Sequence, residues 1–276
     1  MDSTITKYEQ GANLPHSDQS PNRGTYESAK FVGYYTSFAD LFPAEAKIFS
    51  DFSTQFSGRV LDIAIGGGRT TRALLPKAKH YWGSDYSEGM VRAAQAAFPT
   101  AELRQLDMRD APKVYAGQQF DAILISYNGI DLIPWEDRCA LLKGLPSLLA
   151  PDGVFVFSAH DLANADAQRG FHLRPDLRQT LKTIYNPRSL ARFLIRTPPW
   201  FLRAWGNRIR NRHLEKDFDG YSYLNDSGED FGLLTTYVST AKQVEVLKSC
   251  GYTKIEVLQP WLVKEQRYFN YFTCQR

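Results

Sequence analysis

The chain has 276 residues, 43% of them apolar, which is enough for one sizeable core and fits one elaborated domain better than two. A formal net charge of +3 excludes a polyelectrolyte. Its three cysteines, Cys139, Cys250 and Cys274, are widely spaced and form no CxxC or Cys/His cluster. Neither a zinc site nor a disulfide framework is implied, and a reducing, cytoplasmic setting is expected.

Residues 1–24 are rich in Ser, Asn, Gln, Pro and Gly and show no period, so a segment that is flexible, or that orders only over a ligand, is expected over 1–25. The start lacks the cationic and apolar regions of a secretory signal, and no apolar run approaches the roughly 20 residues that span a bilayer. Many aromatics follow between Tyr26 and Phe56, in part at helical spacing, which predicts one or two helices as an N-terminal cap over 26–56. An alternation then begins. Strands are predicted at Arg59–Ile65, Tyr81–Asp85, Glu102–Asp107, Phe120–Ser126 and Gly153–His160. Helices are predicted from Thr70, over Ser87–Phe98 with Ser87 as N-cap, and over Pro134–Leu149 with Pro at the start. Several strands are apolar on both faces, the pattern of a parallel sheet covered on both sides. The alternation breaks at 161–232, a basic, aromatic insertion interrupted by Pro198-Pro199. It resumes with Leu233–Thr240, a helix over Ala241–Cys250 and strands at Tyr252–Leu258 and near Tyr268–Cys274. Two final strands with no helix between them imply an antiparallel hairpin at the sheet edge. The domain is expected to run from 26 to 276.

The segment Val60-Leu61-Asp62-Ile63-Ala64-Ile65-Gly66-Gly67-Gly68-Arg69-Thr70 takes a strand into three glycines and a helix. Glycines permit a tight turn and close approach of a ligand to the backbone, and the helix start offers free N–H groups. A dinucleotide fingerprint requires a third small residue three positions after Gly68, where Thr71 stands. Further acids close the second strand at Asp85 and the third at Asp107, before Met108. Asp85 suits ribose hydroxyls in either a dinucleotide or an S-adenosylmethionine (SAM) enzyme. Asp107, with the following N–H, suits an adenine.

The constellation Asp62, Gly66, Gly68, Asp85 and Asp107 resembles the class I SAM-dependent methyltransferase family, strongly over about 58–160 and more loosely in the C-terminal hairpin. The resemblance implies a Rossmann-like seven-stranded, mostly parallel sheet in the order 3-2-1-4-5-7-6, strand 7 antiparallel, with helices on both faces. It also implies SAM as cofactor and S-adenosylhomocysteine (SAH) as product. Gly66 and Gly68 would line the methionine portion, Asp85 the ribose, and Asp107 with Met108 the adenine. Tyr35, Asp62, Ala64, Tyr86, Met90, Ser126 and Tyr127 complete the expected cofactor site. Arg69 stands where many members carry a small residue, which bears on how the methionine carboxylate is held.

Methyl transfer from a sulfonium is an in-line displacement that needs alignment and exclusion of water. Acceptor-side candidates follow strands 4 and 5. His160 is the expected proton acceptor, with an ordinary pKa near 6.5, or alternatively a histidine bonded to a neighbouring loop. Asn128 and Tyr127 join it as catalytic candidates. Tyr34, Asn128, Asp131, His160, Arg203 and Tyr223 are expected to bind substrate. Tyr221, Asn225 and Asp226 are positional candidates for the same pocket. Ser126-Tyr127-Asn128-Gly129 lacks the two prolines of the motif used on nucleobase amines, so DNA is not expected as partner. No metal is expected, since His160-Asp161-Leu162 stands where an Asp-Asn pair would hold one.

From Arg169 to Lys216 there are twelve Lys/Arg against Asp176 and Glu215, a formal +10, leaving −7 for the rest. A lid over an anionic small molecule and a solvated helical face fit this composition equally well. Membrane or RNA contact through 188–216 is less favoured. The expected function is methylation of an O or N atom of a small metabolite, an anionic one included. The rival readings are a dinucleotide-dependent oxidoreductase and a non-catalytic SAM-binding or membrane-associated protein.

Overall fold

The computed structural model describes residues 21–170, 182, 185–225, 227, 230–259 and 269–276. Its frame is a seven-stranded sheet. The strands are β1 (Arg59–Ile63), β2 (His80–Asp85), β3 (Glu102–Gln105), β4 (Phe120–Ile125) and β5 (Leu149–His160). Three short strands follow, β6 (Lys216–Phe218), β7 (Tyr221–Leu224) and β8 (Thr235–Val238), and then β9 (Thr253–Leu258) and β10 (Phe269–Gln275). The large sheet has the order β3-β2-β1-β4-β5-β10-β9. Strands β1 to β5 pair in parallel, and β10 runs antiparallel between β5 and β9. This is the expected topology, with β10 in the place of strand 7.

Among the described residues the helices of six residues or more are α1 (Pro21–Tyr26), α2 (Ala29–Thr36), α3 (Pro43–Asp51), α4 (Arg69–Leu74), α5 (Glu88–Ala97), α6 (Trp135–Gly144), α7 (Pro187–Asn211) and α8 (Thr240–Ser249). Ser87 caps α5 by accepting from the Met90 N–H at 3.2 Å. Alternate residues of the central strands face opposite layers. Leu61, Ile63, Ile123, Ile125, Phe155 and Phe157 pack with Leu141 and Leu142 of α6 and Val246 and Leu247 of α8. Val60, Ala122, Leu124, Val154 and Val156 pack with Ala44, Ile48 and Phe49 of α3 and Leu74 of α4. Strands buried on both faces read as continuous apolar runs, which is why they were legible.

Three expectations need correction. Residues 21–25, expected within a flexible segment, belong to α1, and residues 1–20 lie outside the described residues. Asn22 is buried and ties α1 down, donating to the Leu132 and Leu234 carbonyls at 3.2 and 2.9 Å and accepting from the Leu234 N–H at 2.7 Å. The insertion contains strands, β6 and β7, and β8 pairs with β7 in a separate antiparallel sheet, order β6-β7-β8. The Pro198-Pro199 pair does not break the basic stretch, because α7 runs through it. Tyr268, expected in the last strand, lies outside the described residues.

Candidate active site

A cavity of about 440 Å³ opens at the carboxyl ends of β1, β2, β3 and β4. Its floor is the glycine loop. Ala64, Gly66 and Gly68 all have positive φ, and Gly68 starts α4. A Cβ on Gly67 would lie 2.6 Å from the Thr36 Cα, so the end of α2 rests directly on the loop. Past β4 the consecutive residues Tyr127 and Asn128 also have positive φ, an uncommon conformation for side chains of this size.

Asp85 lies at the end of β2 with its carboxylate on the cavity wall. It accepts from the Gly66 N–H at 2.8 Å and the Ser87 N–H at 2.9 Å, so one side chain links the glycine loop to the start of α5. Burial raises its carboxyl to about 6, against the pull of those backbone hydrogen bonds. Each oxygen retains a lone pair for a ligand. One strand over, Asp107 and Met108 also line the cavity. Arg109 grips Asp107 through Nε at 2.9 Å and Nη2 at 2.6 Å, and reaches Asp137 at 2.9 Å.

The roof is aromatic. Tyr26 and Tyr35 line the cavity with hydroxyls 3.3 Å apart, and Tyr86 meets the Tyr26 ring edge-on at 5.9 Å. Tyr127 closes one side, its ring 5.9 Å from Tyr35 and 5.2 Å from Phe42. Beside it, Arg69 points a guanidinium over Phe42 at 4.4 Å and pairs with Glu45 through both terminal nitrogens, one at 2.7 Å. Ser126 donates to the same Glu45, whose carboxylate also accepts from the Phe42 N–H at 3.0 Å. Arg69, Glu45 and Ser126 are all buried. The other end of the cavity is walled by Asn22, Leu132, Ile133, Pro134, Tyr223, Leu234 and Thr236. The Tyr223 hydroxyl accepts from the Trp135 N–H at 2.8 Å, and burial raises its phenol above the ordinary value.

Thus Tyr35, Ala64, Gly66, Arg69, Asp85, Tyr86, Met90, Asp107, Met108, Ser126, Tyr127 and Tyr223 converge on one cavity. The remaining candidates do not line it. Asp62 lies fully buried behind the loop, accepting from Thr70 Oγ1 at 2.6 Å and the Tyr81 hydroxyl at 2.7 Å. Its other oxygen has no partner among the described residues, and burial raises its carboxyl to about 7. Gly68 turns away as the start of α4, its Cβ position facing Phe98. Tyr34 is 45% exposed and stacks edge-on against Phe38. Arg203 bonds Asp230, drawn there by a carboxylate that also accepts from Trp200 Nε1 at 2.7 Å. Asp226 lies outside the described residues.

His160, the expected proton acceptor, lies outside the cavity lining. Its Nδ1 lies 2.8 Å from Asp131 Oδ2 and its Nε2 lies 3.3 Å from Asn128 Nδ2. Asp131 is fully buried, held by Arg138 at 2.5 Å and by the His160 N–H at 2.7 Å. Arg138 in turn bonds Gln243. The dyad therefore joins β5, the turn after β4 and α6, which is the loop-bonded alternative for this histidine. The reason is Arg138, a cation in α6 whose burial demands Asp131 as counterion. Asn128 and Asp131 are thereby used inside the protein. Glu45, Arg109, Arg138 and Asn22 escaped the sequence reading, since each has a partner distant in sequence: Arg69 is 24 residues from Glu45, Asp137 28 from Arg109, Gln243 105 from Arg138 and Leu234 212 from Asn22. Glu45 alone carried a local signal, as an acid in the first turn of a helix opened by Pro43.

Comparison with known proteins fits this geometry. A family profile described as "Methyltransferase domain" matches residues 60–153, from β1 into β5. A putative methyltransferase of Bacillus subtilis, YqeM, is 31% identical over 107 residues, 37% of this chain and 42% of that protein. The match thus spans less than half of that curated relative. Among solved structures, a complex of DhpI with SAM and HEP covers 96% of this chain and all of its own, at TM-score 0.55 and 17% identity. DhpI with SAH covers 92% of both chains at TM-score 0.52 and 20% identity. DesVI of Streptomyces venezuelae covers 95% of this chain and 99% of its own at TM-score 0.52 and 16% identity. At such identities the likeness is one of fold.

Proposed function

We propose, from the premise that residues 60–153 make this chain a bearer of a class I SAM-dependent methyltransferase domain, that it transfers a methyl group from SAM to an O or N atom of a small molecule. The observation that carries the reading is the Asp85 carboxylate, bonded to the Gly66 N–H at 2.8 Å on the wall of a cavity that also receives Asp107 and an aromatic roof. The cavity suits the cofactor: free lone pairs of Asp85 meet the ribose diol, Asp107 and the Met108 N–H meet the adenine edge, and the positive-φ turn leaves backbone facing the methionine portion. Tyr35 and Tyr127 present ring faces and edges suited to a sulfonium. The bound cofactor supplies an activated methyl group. The chain's residues orient the acceptor and keep water out.

The acceptor end favours a neutral body with an apolar or aromatic surface. Its wall is Leu132, Ile133, Pro134, Leu234 and the ring of Tyr223, with Asn22 already bonded to backbone. The two arginines on the cavity wall, Arg69 and Arg109, are each matched by carboxylates, and no residue of α7 lines it. That argues against the anionic acceptor. With His160 bonded to Asp131 and Asn128 and the Tyr223 phenol raised by burial, this wall suits an acceptor that attacks through the lone pair of its neutral form, such as a free amine.

The test is calorimetric titration with SAH and, separately, with NADH and NADPH, followed by turnover of SAM against neutral aromatic amines and phenols. Micromolar SAH binding without nicotinamide binding supports the reading. Nicotinamide binding without SAH binding would return the glycine loop to the dinucleotide class.

A further inference from the structure

Helix α7 divides into three faces. At 100° per residue its packed face is Trp200, Ala204 and Asn211, all buried against the segment around Asp230 and Phe231. A second sector of about 140° holds Leu190, Leu194, Ile195, Leu202 and Ile209, with Phe201 and Trp205 between them. Ile195, Leu202 and Ile209 are 72%, 69% and 63% exposed. The third sector, bordering the second, carries Arg188, Arg192, Arg196, Arg203 and Arg210. Arg208 lies between the packed and apolar faces, over the Phe231 ring at 4.8 Å. The helix has six arginines and no acid.

An exposed apolar sector this wide is uncommon on a surface of a soluble domain. The arginine border limits what can cover it. A protein partner or a second copy would have to meet the stripe with carboxylates, yet within α7 none is present to pair across a symmetric contact. An anionic bilayer answers both faces at once: acyl chains receive the leucines and isoleucines, headgroup phosphates receive Arg188, Arg192 and Arg210, and Trp205 and Phe201 suit the boundary. Among the described residues no helix is long and apolar enough to cross a membrane, and α7, about 37 Å long, is suited to lying on one instead.

We propose that α7 is an interfacial helix that seats this protein on anionic phospholipid. The inference does not depend on the methyltransferase reading, because α7 lines no part of the cavity.

The experiment is vesicle co-sedimentation of the full chain with phosphatidylcholine alone and with phosphatidylglycerol added. It compares wild type, Leu202→Glu/Ile209→Glu and Arg188→Glu/Arg192→Glu/Arg210→Glu. Expected is binding to the anionic vesicles alone, weakened by salt and reduced at least tenfold in each variant, with SAH affinity and circular dichroism unchanged. Three results would overturn the proposal. One is no binding by wild type. Another is a dimer in light scattering that dissociates in Leu202→Glu/Ile209→Glu without any lipid dependence. The third is RNA binding lost in the arginine variant alone, which would give the stripe to nucleic acid.

Discussion

Replacing Asp85 by Ala removes a side chain that both bonds the glycine loop and lines the ligand space. Its carboxylate already accepts two backbone N–H groups, from Gly66 and Ser87, so a ribose diol would add one further hydrogen bond per oxygen. At the low end for charge-assisted bonds, about 1.5 kcal/mol each, the loss is ~3 kcal/mol, roughly 150-fold in Kd. The low end applies because the oxygens are shared with the backbone. A second signature comes from protonation. Burial raises the Asp85 carboxyl to about 6, and the ionised form is the better acceptor, so affinity should fall as pH drops through that value. Between pH 7 and pH 5 the ionised fraction falls about tenfold, and SAH affinity should fall with it. The assay is calorimetry with SAH on wild type and Asp85→Ala across that range. Asp62 titrates nearby, at about 7, so the informative quantity is the difference between the two proteins. Binding by Asp85→Ala within about threefold of wild type at neutral pH would refute the ribose assignment and the register on which it rests.

Asp62 makes a separate test of stability. Its folded carboxyl is raised to about 7 by burial, so the folded state keeps a proton that the unfolded chain releases near pH 4. Stability is therefore lost as pH rises from about 4 through 7, and Asp62→Asn, which cannot ionise, escapes that loss. Denaturant melts should find the variant gaining up to ~2–3 kcal/mol on wild type between pH 5 and pH 8, and a parallel pH dependence would argue against a buried ionising Asp62. Glu45→Ala strands the buried Arg69 cation and should cost about 3–5 kcal/mol in the same assay, far above the near-zero effect expected if the pair were solvated. Gly67→Ala sets a methyl against the Thr36 backbone. It should weaken SAH binding by displacing α2 while the melting temperature changes little, whereas unchanged affinity would mean that α2 is not needed as a roof.

Much of the frame was written locally. Strands buried on both faces are apolar throughout, Ser87 caps its own helix, and the glycines announce a turn with positive φ at Gly66 and Gly68. Acids at successive strand ends converge because parallel strands bring their carboxyl ends to one edge, which is how Asp85 and Asp107 reach a common cavity from 22 residues apart. What the sequence alone could not decide is how each polar side chain spends its bonds. His160 reads as a base by position, but its partner is set by the counterion that Arg138 requires in the core. Arg203 reads as a substrate cation, but Asp230 takes it. Asp62 belongs to the motif by spacing and yet faces Tyr81 and Thr70 behind the loop. The period of an apolar helix likewise says that one face is greasy without saying which way it turns. In α7 the packing of Trp200 and Ala204 decided that, leaving Leu202 and Ile209 outward. Local pattern determines elements because backbone sterics and periodicity act over a few residues. Hydrogen-bond partners are chosen only when burial makes an unpaired charge costly, and that happens after distant segments have met.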